Sequence, residues 1–258
     1  MPELPDLQVF SANLTKKIGN KEVNRIVVHT KKLNVSDAEI NNTLKGQKLK
    51  QVFRQGKELH LEFSKGTMLG LHLMLHGELH LVPEQDDVKF AVFELVFTDG
   101  QKLVLSDFQK QATPTLNPEP NDTTDALSPT VDFEFLKNLL GSKKAAIKNI
   151  LLDQHSLRGI GNAYADEIFW DAKISPFSIA NKLPDAAIKQ LAKSIPKVLQ
   201  AAEKQILKEQ PEIISGEVRD FLKIHQAKLS ESPTGAKIRV EKKGARKTYY
   251  TEEQILYN

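Results

Sequence analysis

Leu157-Arg158-Gly159-Ile160-Gly161-Asn162-Ala163-Tyr164-Ala165-Asp166-Glu167 is the stretch on which the architecture turns. Two glycines two positions apart permit a tight turn with its backbone amides facing outward, and a helix starting at Asn162 leaves its first N–H groups without intrahelical partners. The turn at Gly161 and the helix start at Asn162 together form a ready phosphate site. Taken alone the pattern is weak, because a Gly-x-Gly turn is common and helix capping usually accounts for it. On both sides the period is helical, over Phe133 to Leu140, Ala145 to Leu152, Ala163 to Ala172 and Asp185 to Lys208. Pro184 and Asp185 mark the start of the last helix. Pro196 falls inside it, where a missing donor and a ring clash predict a kink or break.

Toward the N-terminus the period changes to two. Val23 to Val28, Leu59 to Phe63, Leu71 to Leu73, Ala91 to Phe97 and Lys102 to Leu105 alternate, with Gly56, Gly66, Gly77 and Asp99-Gly100 as turns between them. This predicts a mostly antiparallel β-sandwich or barrel. A helix over residues 6 to 18 precedes it, with Asp6 as N-cap and Leu7, Phe10, Leu14 and Ile18 on one face. Pro114, Pro118, Pro120 and Pro129 lie among Thr, Asn and Asp and mark a linker. The tail from about 234 to 251 alternates again around Gly244 and reads as a two-stranded hairpin. The fold class is therefore α+β. An N-terminal antiparallel β-sandwich with a long helix occupies residues 1–112, a linker 113–130, a helical domain 131–226 and a β-hairpin 227–258.

The chain has 258 residues, enough to bury a sizeable core, and it has no cysteine, which excludes disulfides, thiolate nucleophiles and cysteine-based zinc sites. No secretion pattern opens the chain and no apolar run approaches the ~18 residues of a membrane span. A soluble, cytoplasmic protein is expected. The formal charge is only +3. Its placement says more: Lys237, Arg239, Lys242, Lys243, Arg246 and Lys247 crowd together with Glu241 alone opposing, which suits a polyanion or an ordinary solvated hairpin.

The chain opens Met1-Pro2-Glu3-Leu4-Pro5. Removal of Met1, which a small second residue permits, would expose a secondary amine beside a carboxylate. A free N-terminal proline can condense with a sugar aldehyde carbon to an iminium, and an α-amino group has an ordinary pKa near ~8, so a useful fraction is neutral at physiological pH. Alternatively Pro2 stiffens the entry to the fold and Met1 stays on.

Taken together, Pro2-Glu3-Leu4-Pro5, the turn Gln55-Gly56-Lys57 and the block Ile147 to Pro176, with Leu151-Leu152-Asp153-Gln154 and Gly159 to Glu167, resemble the formamidopyrimidine-DNA glycosylase and endonuclease VIII family. The likeness runs nearly end to end. It implies a β-sandwich joined to a helix-two-turn-helix module, a monomer acting on damaged double-stranded DNA without cofactor or membrane, and base-excision repair with a lyase activity at the same site. It further implies that Pro2 is the nucleophile, Glu3 the general acid and base, and Lys57 a phosphate contact. Asn162, with Gly161, would hold phosphate, though N-capping by Asn162 is equally compatible. Arg246, with Lys247 beside it, would grip phosphate from the C-terminal hairpin finger. Many relatives build that finger on four cysteines around zinc. This chain has none, so a zincless finger is expected, held by Ile238, Val240, Tyr249 and Tyr250.

Other positions depart from the family. Relatives that remove 8-oxoguanine fill the void left by the flipped nucleotide with methionine, arginine and phenylalanine. Here Leu75 takes the methionine position, or else is a buried strand residue, while Gln109 and Gln111 replace the arginine and phenylalanine and remove the aromatic wedge. Lys110 keeps a cationic phosphate contact. Only Pro211 to Gly216 is available for the loop over a flipped purine, which favours oxidised pyrimidines or formamidopyrimidines as substrates. The competing possibilities are a catalytically inactive DNA-binding paralogue, suggested by Asp6 and Gln8 where the family carries glutamates, and a more distant RNA-binding module.

Overall fold

The structure, a computed structural model, describes residues 1–244 and 246–258, except for the side chain of Lys243. The chain divides into two compact units: Met1–Asn121 with Ile206–Glu217, and Asp122–Gln205 with Val218–Asn258.

The first unit begins with helix α1 (Leu4–Ile18) and strand β1 (Val23–Val28), followed by helix α2 (Asp37–Leu44). Strands β2 (Leu49–Gln55), β3 (Glu58–Phe63), β4 (Met68–His72), β5 (Glu78–Pro83), β6 (Ala91–Phe97), β7 (Gln101–Ser106) and β8 (Thr113–Leu116) complete it. Two four-stranded antiparallel sheets form, ordered β1-β6-β7-β5 and β2-β3-β4-β8. Alternation aims one face of each at a common core. Val52, Leu59, Leu61, Leu69 and Leu71 from one sheet and Phe93, Leu95, Leu103 and Leu105 from the other are buried there, with Phe10, Leu14 and Ile18 of α1. The sandwich is as the alternation predicts. The strands β2, β5 and β8 and helix α2 carry weaker sequence patterns, and only the packing reveals them.

Two details differ from expectation. Helix α1 starts at Leu4, not after Asp6: Glu3 is the N-cap, Pro5 occupies the first turn and Asp6 is the third helical residue. The reason is a reciprocal capping box in which the Asp6 carboxylate accepts from the Glu3 N–H at 2.8 Å while the Glu3 carboxylate accepts from the Asp6 N–H. Proline fits the first turn because its absent N–H has no partner there anyway. The expected linker also begins with structure, because Thr113–Leu116 pair with β4 as an edge strand that tolerates Pro114.

The second unit contains α3 (Phe133–Gly141), α4 (Ile147–Leu152), α5 (Asn162–Asp171) and the part of α6 (Asp185–Glu209) up to Gln205. Pro196 does not break α6, which runs for 25 residues; the helix forgoes one hydrogen bond there while Leu191, Ile195, Leu199 and Ala202 remain buried on one face. A hairpin, β9 (Arg239–Lys243) and β10 (Arg246–Tyr250), lies near the C-terminus, shorter than the alternation suggests. Among the described residues no helix is long and apolar enough to cross a membrane.

Candidate functional site

In the first unit Pro2 is buried and lines a cleft of about 780 Å³ with Leu75, His76, His80, Phe90, Asp107, Phe108 and Glu217 among its walls. Glu3, next in sequence, is 5% exposed and fixed by the capping box at the N-terminus of α1. That position is neither a solvated carboxylate nor an idle one: the helix dipole favours negative charge there. The Met1 ammonium pairs with Glu217, one of the residues lining this cleft.

Lys57 stands with Gly56 at the tip of the two-residue turn joining β2 and β3, whose register closes on Gln55 opposite Glu58. Arg54 braces the turn from below, donating to the Gly56 carbonyl at 3.0 Å and to the Gln8 side chain at 3.1 Å. Gln8 therefore has a structural partner that a glutamate could also serve. Burial pushes the His72 pKa down, nearby Glu58 opposes this, and the Lys57 charge pushes it further down. A neutral imidazole thus sits beside the lysine.

The rim of the cleft is made by loops. Leu75 belongs to no strand and is 57% exposed, which overturns its alternative placement in the core. Gly77 closes the same turn: its N–H donates to the Leu73 carbonyl at 2.8 Å, and a Cβ at this position would lie 2.2 Å from that oxygen. The loop after β7 wraps around the Asp107 carboxylate, which accepts from the N–H groups of Gln109, Gln111 and Ala112 at 2.9, 2.7 and 2.8 Å. Burial tends to raise the Asp107 pKa, but these three N–H groups outweigh it and hold the carboxyl below its ordinary range. Gln109, Lys110 and Gln111 are exposed. The Gln111 amide is engaged, however, accepting from Lys32 at 2.8 Å and donating to the Gln109 carbonyl at 3.3 Å. The short segment after α6 is tied down as well. Asn13 donates to the Ile213 carbonyl and Ser215 accepts from the Leu79 N–H, at 2.8 and 2.9 Å.

In the second unit the Gly-x-Gly turn feeds α5 as expected, but the capping differs. Gly161 is the N-cap and Asn162 the first helical residue, so Asn162 does not cap. Its amide instead donates to the Lys247 carbonyl of β10 at 2.9 Å, linking the helix start to the finger. Gly159, at φ +104°, turns its amide inward to Gln154 at 3.0 Å, whereas the sequence suggested that the turn amides face outward. Gln154 also donates to the Leu152 and Ile160 carbonyls, each at 3.0 Å, which locks the loop.

Arg246 and Lys247 are exposed on the finger, together with Lys237 and Lys242. Packing on Trp170 and Ile224 buries Ile238 and Tyr249, while Tyr250 meets Phe177 edge to face at 5.0 Å. Val240, expected in that packing, is instead 53% exposed: Ile238 lies before the start of β9, and the buried cluster it forms with Trp170, Ile224 and Tyr249 does not extend to Val240. What anchors the finger beyond these apolar contacts is charge. The Asp166 carboxylate is fully buried and takes Lys148 at 2.6 Å, His225 at 2.7 Å and the Tyr249 N–H at 2.9 Å. Lys148 also donates to the Thr248 hydroxyl at 2.9 Å. One residue on, Glu167 accepts from the N–H groups of Lys223, Ile224 and His225 at 3.0, 2.9 and 2.9 Å. Burial lifts its pKa, and those N–H groups only partly pull it back. No group of three or more His, Asp or Glu side chains able to hold a metal occurs among the described residues.

Sequence inspection passed over His76, Phe90, Phe108, Lys148 and His225. Asp166 and Glu167 lay inside the quoted block, and two acids on a helix with apolar neighbours were the signal of a buried polar network.

A capped helix start that sets Pro2 on a cleft, and a glycine-turned helix pinned to a basic finger, together define an α+β helix-two-turn-helix protein. Residues 1–113 match the formamidopyrimidine-DNA glycosylase N-terminal domain and residues 123–210 the H2TH domain of the same enzymes. The formamidopyrimidine-DNA glycosylase of Ligilactobacillus salivarius is 35% identical over 218 residues, covering 77% of this chain and 76% of that protein. That of Carboxydothermus hydrogenoformans is 34% identical over 209 residues, with 77% and 76% covered. Among solved structures, the Lactococcus lactis Fpg in complex with an oxidised pyrimidine containing DNA superposes with a TM-score of 0.85 at 26% identity, covering 97% of this chain and 98% of that one. Its complex with abasic site containing DNA gives 0.86 at 25%, with the same coverage. The chain belongs to the formamidopyrimidine-DNA glycosylase family.

Proposed function

We propose that the chain removes oxidised or ring-opened bases from duplex DNA and then cuts the strand through an imine formed by its own terminal proline. Family membership makes it a DNA glycosylase of base-excision repair; the nucleophile, the lyase step and the residue roles go further. With Met1 attached, the Pro2 nitrogen is an amide and has no nucleophilic lone pair, so removal of Met1 is a condition of the chemistry. Once free, Pro2 attacks C1′ of the damaged nucleotide. A C–N bond forms, the glycosidic bond breaks and the base leaves with a proton. Glu3 protonates the ring oxygen, the sugar opens and an iminium results. The iminium acidifies the adjacent C2′–H bond; its loss expels the 3′ phosphate, and a second elimination expels the 5′ phosphate. Water then hydrolyses the imine and frees the enzyme.

Lys57 in the first unit, and Asn162, Gly161, Arg246 and Lys247 in the second, contact phosphates, with Lys110 a further cation. The observation that carries the proposal is Pro2 on the wall of the 780 Å³ cleft with Glu3 buried and oriented beside it in sequence. A cleft of this size suits a ligand as large as a nucleobase. The complex of the Lactococcus lactis relative with an oxidised pyrimidine containing DNA supports pyrimidine lesions as a substrate class.

Borohydride trapping on abasic duplex DNA tests this. Protein whose intact mass lacks Met1 should give a covalent adduct, and Pro2→Gly or Glu3→Gln should lose processing by roughly a hundredfold or more, the scale of a lost nucleophile or acid–base group. A processed wild type that binds abasic DNA yet gives no adduct would instead be a non-catalytic paralogue.

A further inference from the structure

Three of the large apolar side chains left exposed in this chain line the same cleft: Leu75, Phe90 and Phe108, at 57%, 59% and 57%. Each sits in a different loop, between β4 and β5, β5 and β6, and β7 and β8. Those loops hold three of the six non-glycine residues with positive φ among the described residues, Met74 at +55°, Phe90 at +59° and Lys110 at +53°. Such conformations cost free energy and persist where the surroundings impose them, often at ligand sites. The surroundings are visible here: the Asp107 N–H donates to the Phe90 carbonyl at 2.9 Å, and its carboxylate gathers the amides on either side of Lys110. Phe108 follows Asp107 directly and rests on the His76 ring, with centroids 4.6 Å apart. Exposed apolar groups clustered this tightly mark a contact surface, and Lys89 lines the same cleft, giving it a cation suited to nucleic acid.

We propose that Phe108, backed by His76 and flanked by Leu75, is the aromatic side chain that enters the base stack when the damaged nucleotide swings into the Pro2 cleft. Gln111, which stands where relatives carry phenylalanine, is held by Lys32 and the Gln109 carbonyl and does not serve as the wedge. Phe108 thus restores from a neighbouring position what the sequence lost at 111. The assignment deepens the proposed function and rests on it. Stacking of one aromatic ring on a base is worth about ten- to a hundredfold in affinity, and that is the scale expected.

The test compares the full-length, Met1-processed wild type with Phe108→Ala and Phe108→Trp. Phe108 is exposed, so its truncation leaves the core intact. On a duplex with an oxidised pyrimidine, Phe108→Ala should lose at least tenfold in kcat/KM, but no more than threefold on a single-stranded abasic oligonucleotide, where no stack needs filling. Phe108→Trp should recover most of the loss. Independently of turnover, 2-aminopurine next to an abasic site should respond to binding by wild type and much less to Phe108→Ala. Equal losses on both substrates, or a wild-type fluorescence response in Phe108→Ala, would overturn the assignment. Failure of the wild type to trap DNA would remove the imine chemistry alone, since the fluorescence arm would still decide the role of Phe108.

Discussion

The rim of the Pro2 cleft and the C-terminal finger present functional side chains by opposite means. At the rim the backbone does the holding: left-handed residues, a glycine turn with no room for a Cβ and one carboxylate collecting three amides keep Leu75 and Phe108 out in solvent. In the finger side chains do it, through Asp166 and Lys148, both nearly inaccessible, which tie β10 to α4 and α5. A rim that must offer apolar groups to water cannot rely on their burial and needs fixed dihedrals instead. A two-stranded hairpin is marginal by itself, and without thiolates its tether must come from buried polar bonds.

That contrast can be broken from either side. The largest effect should follow Asp166→Ala, which leaves Lys148 buried without its counter-ion; loss of one partner of such a pair costs about 3–5 kcal/mol. Thermal unfolding should show a lower Tm, and hydrogen exchange should show the amides of Thr248 to Tyr250 losing protection. A finger that stays protected in this variant would mean that Ile238 and Tyr249 suffice to hold it. Next in size is Gly77→Ala, because the new Cβ collides with the Leu73 carbonyl 2.2 Å away and overpacking of this kind costs about 1–3 kcal/mol. Denaturant unfolding should register the loss, while the exchange of residues 248–250 should not change. A neutral Gly77→Ala would show the rim to be softer than its dihedrals suggest.

The smallest effect concerns acid. Hydrogen bonds from Lys173 and then Thr234 lower the Glu253 pKa, burial opposes them slightly and the Trp170 indole N–H adds to them, so the value falls from 4.5 to about 2. A depressed folded-state value means that this stabilisation is complete above the ordinary glutamate range and is lost as pH falls through 4.5 toward 2. Trp170 is the sole tryptophan, so its fluorescence reports this contact directly. A midpoint near 2 is expected; one near 4.5 would show Glu253 to be unpaired in solution.

Much of the architecture was legible because it rests on periodicity. Alternation in Leu59–Phe63 places Leu59, Leu61 and Phe63 in the core, where a one-residue slip would turn all three away, while Ala91–Phe97 buries Val92 and Val96 as well as Phe93 and Leu95. The Gly56-Lys57 tip was legible from the glycine as a turn signal and from the family resemblance, although β2, the strand that enters it, was not. The start of α1 was not: Glu3 and Asp6 are both acceptable caps, and only the reciprocal bonding of the folded chain selects Glu3. Phe108 was passed over because an aromatic beside a strand end looks like core, and its exposure depends on amides donated by Gln109, Gln111 and Ala112 to Asp107.

By itself the sequence determined that this is a two-part α+β chain and that it contains no cysteine, since periodicity and composition are local properties, while resemblance to the glycosylase family singled out Pro2, Glu3, Lys57, Asn162 and Arg246 as candidates. Tertiary structure alone decided which carboxylates cap, which bind buried cations and which apolar rings face water. Those outcomes depend on partners such as Lys148 and Thr248, a hundred residues apart in the chain, that only folding brings within bonding distance.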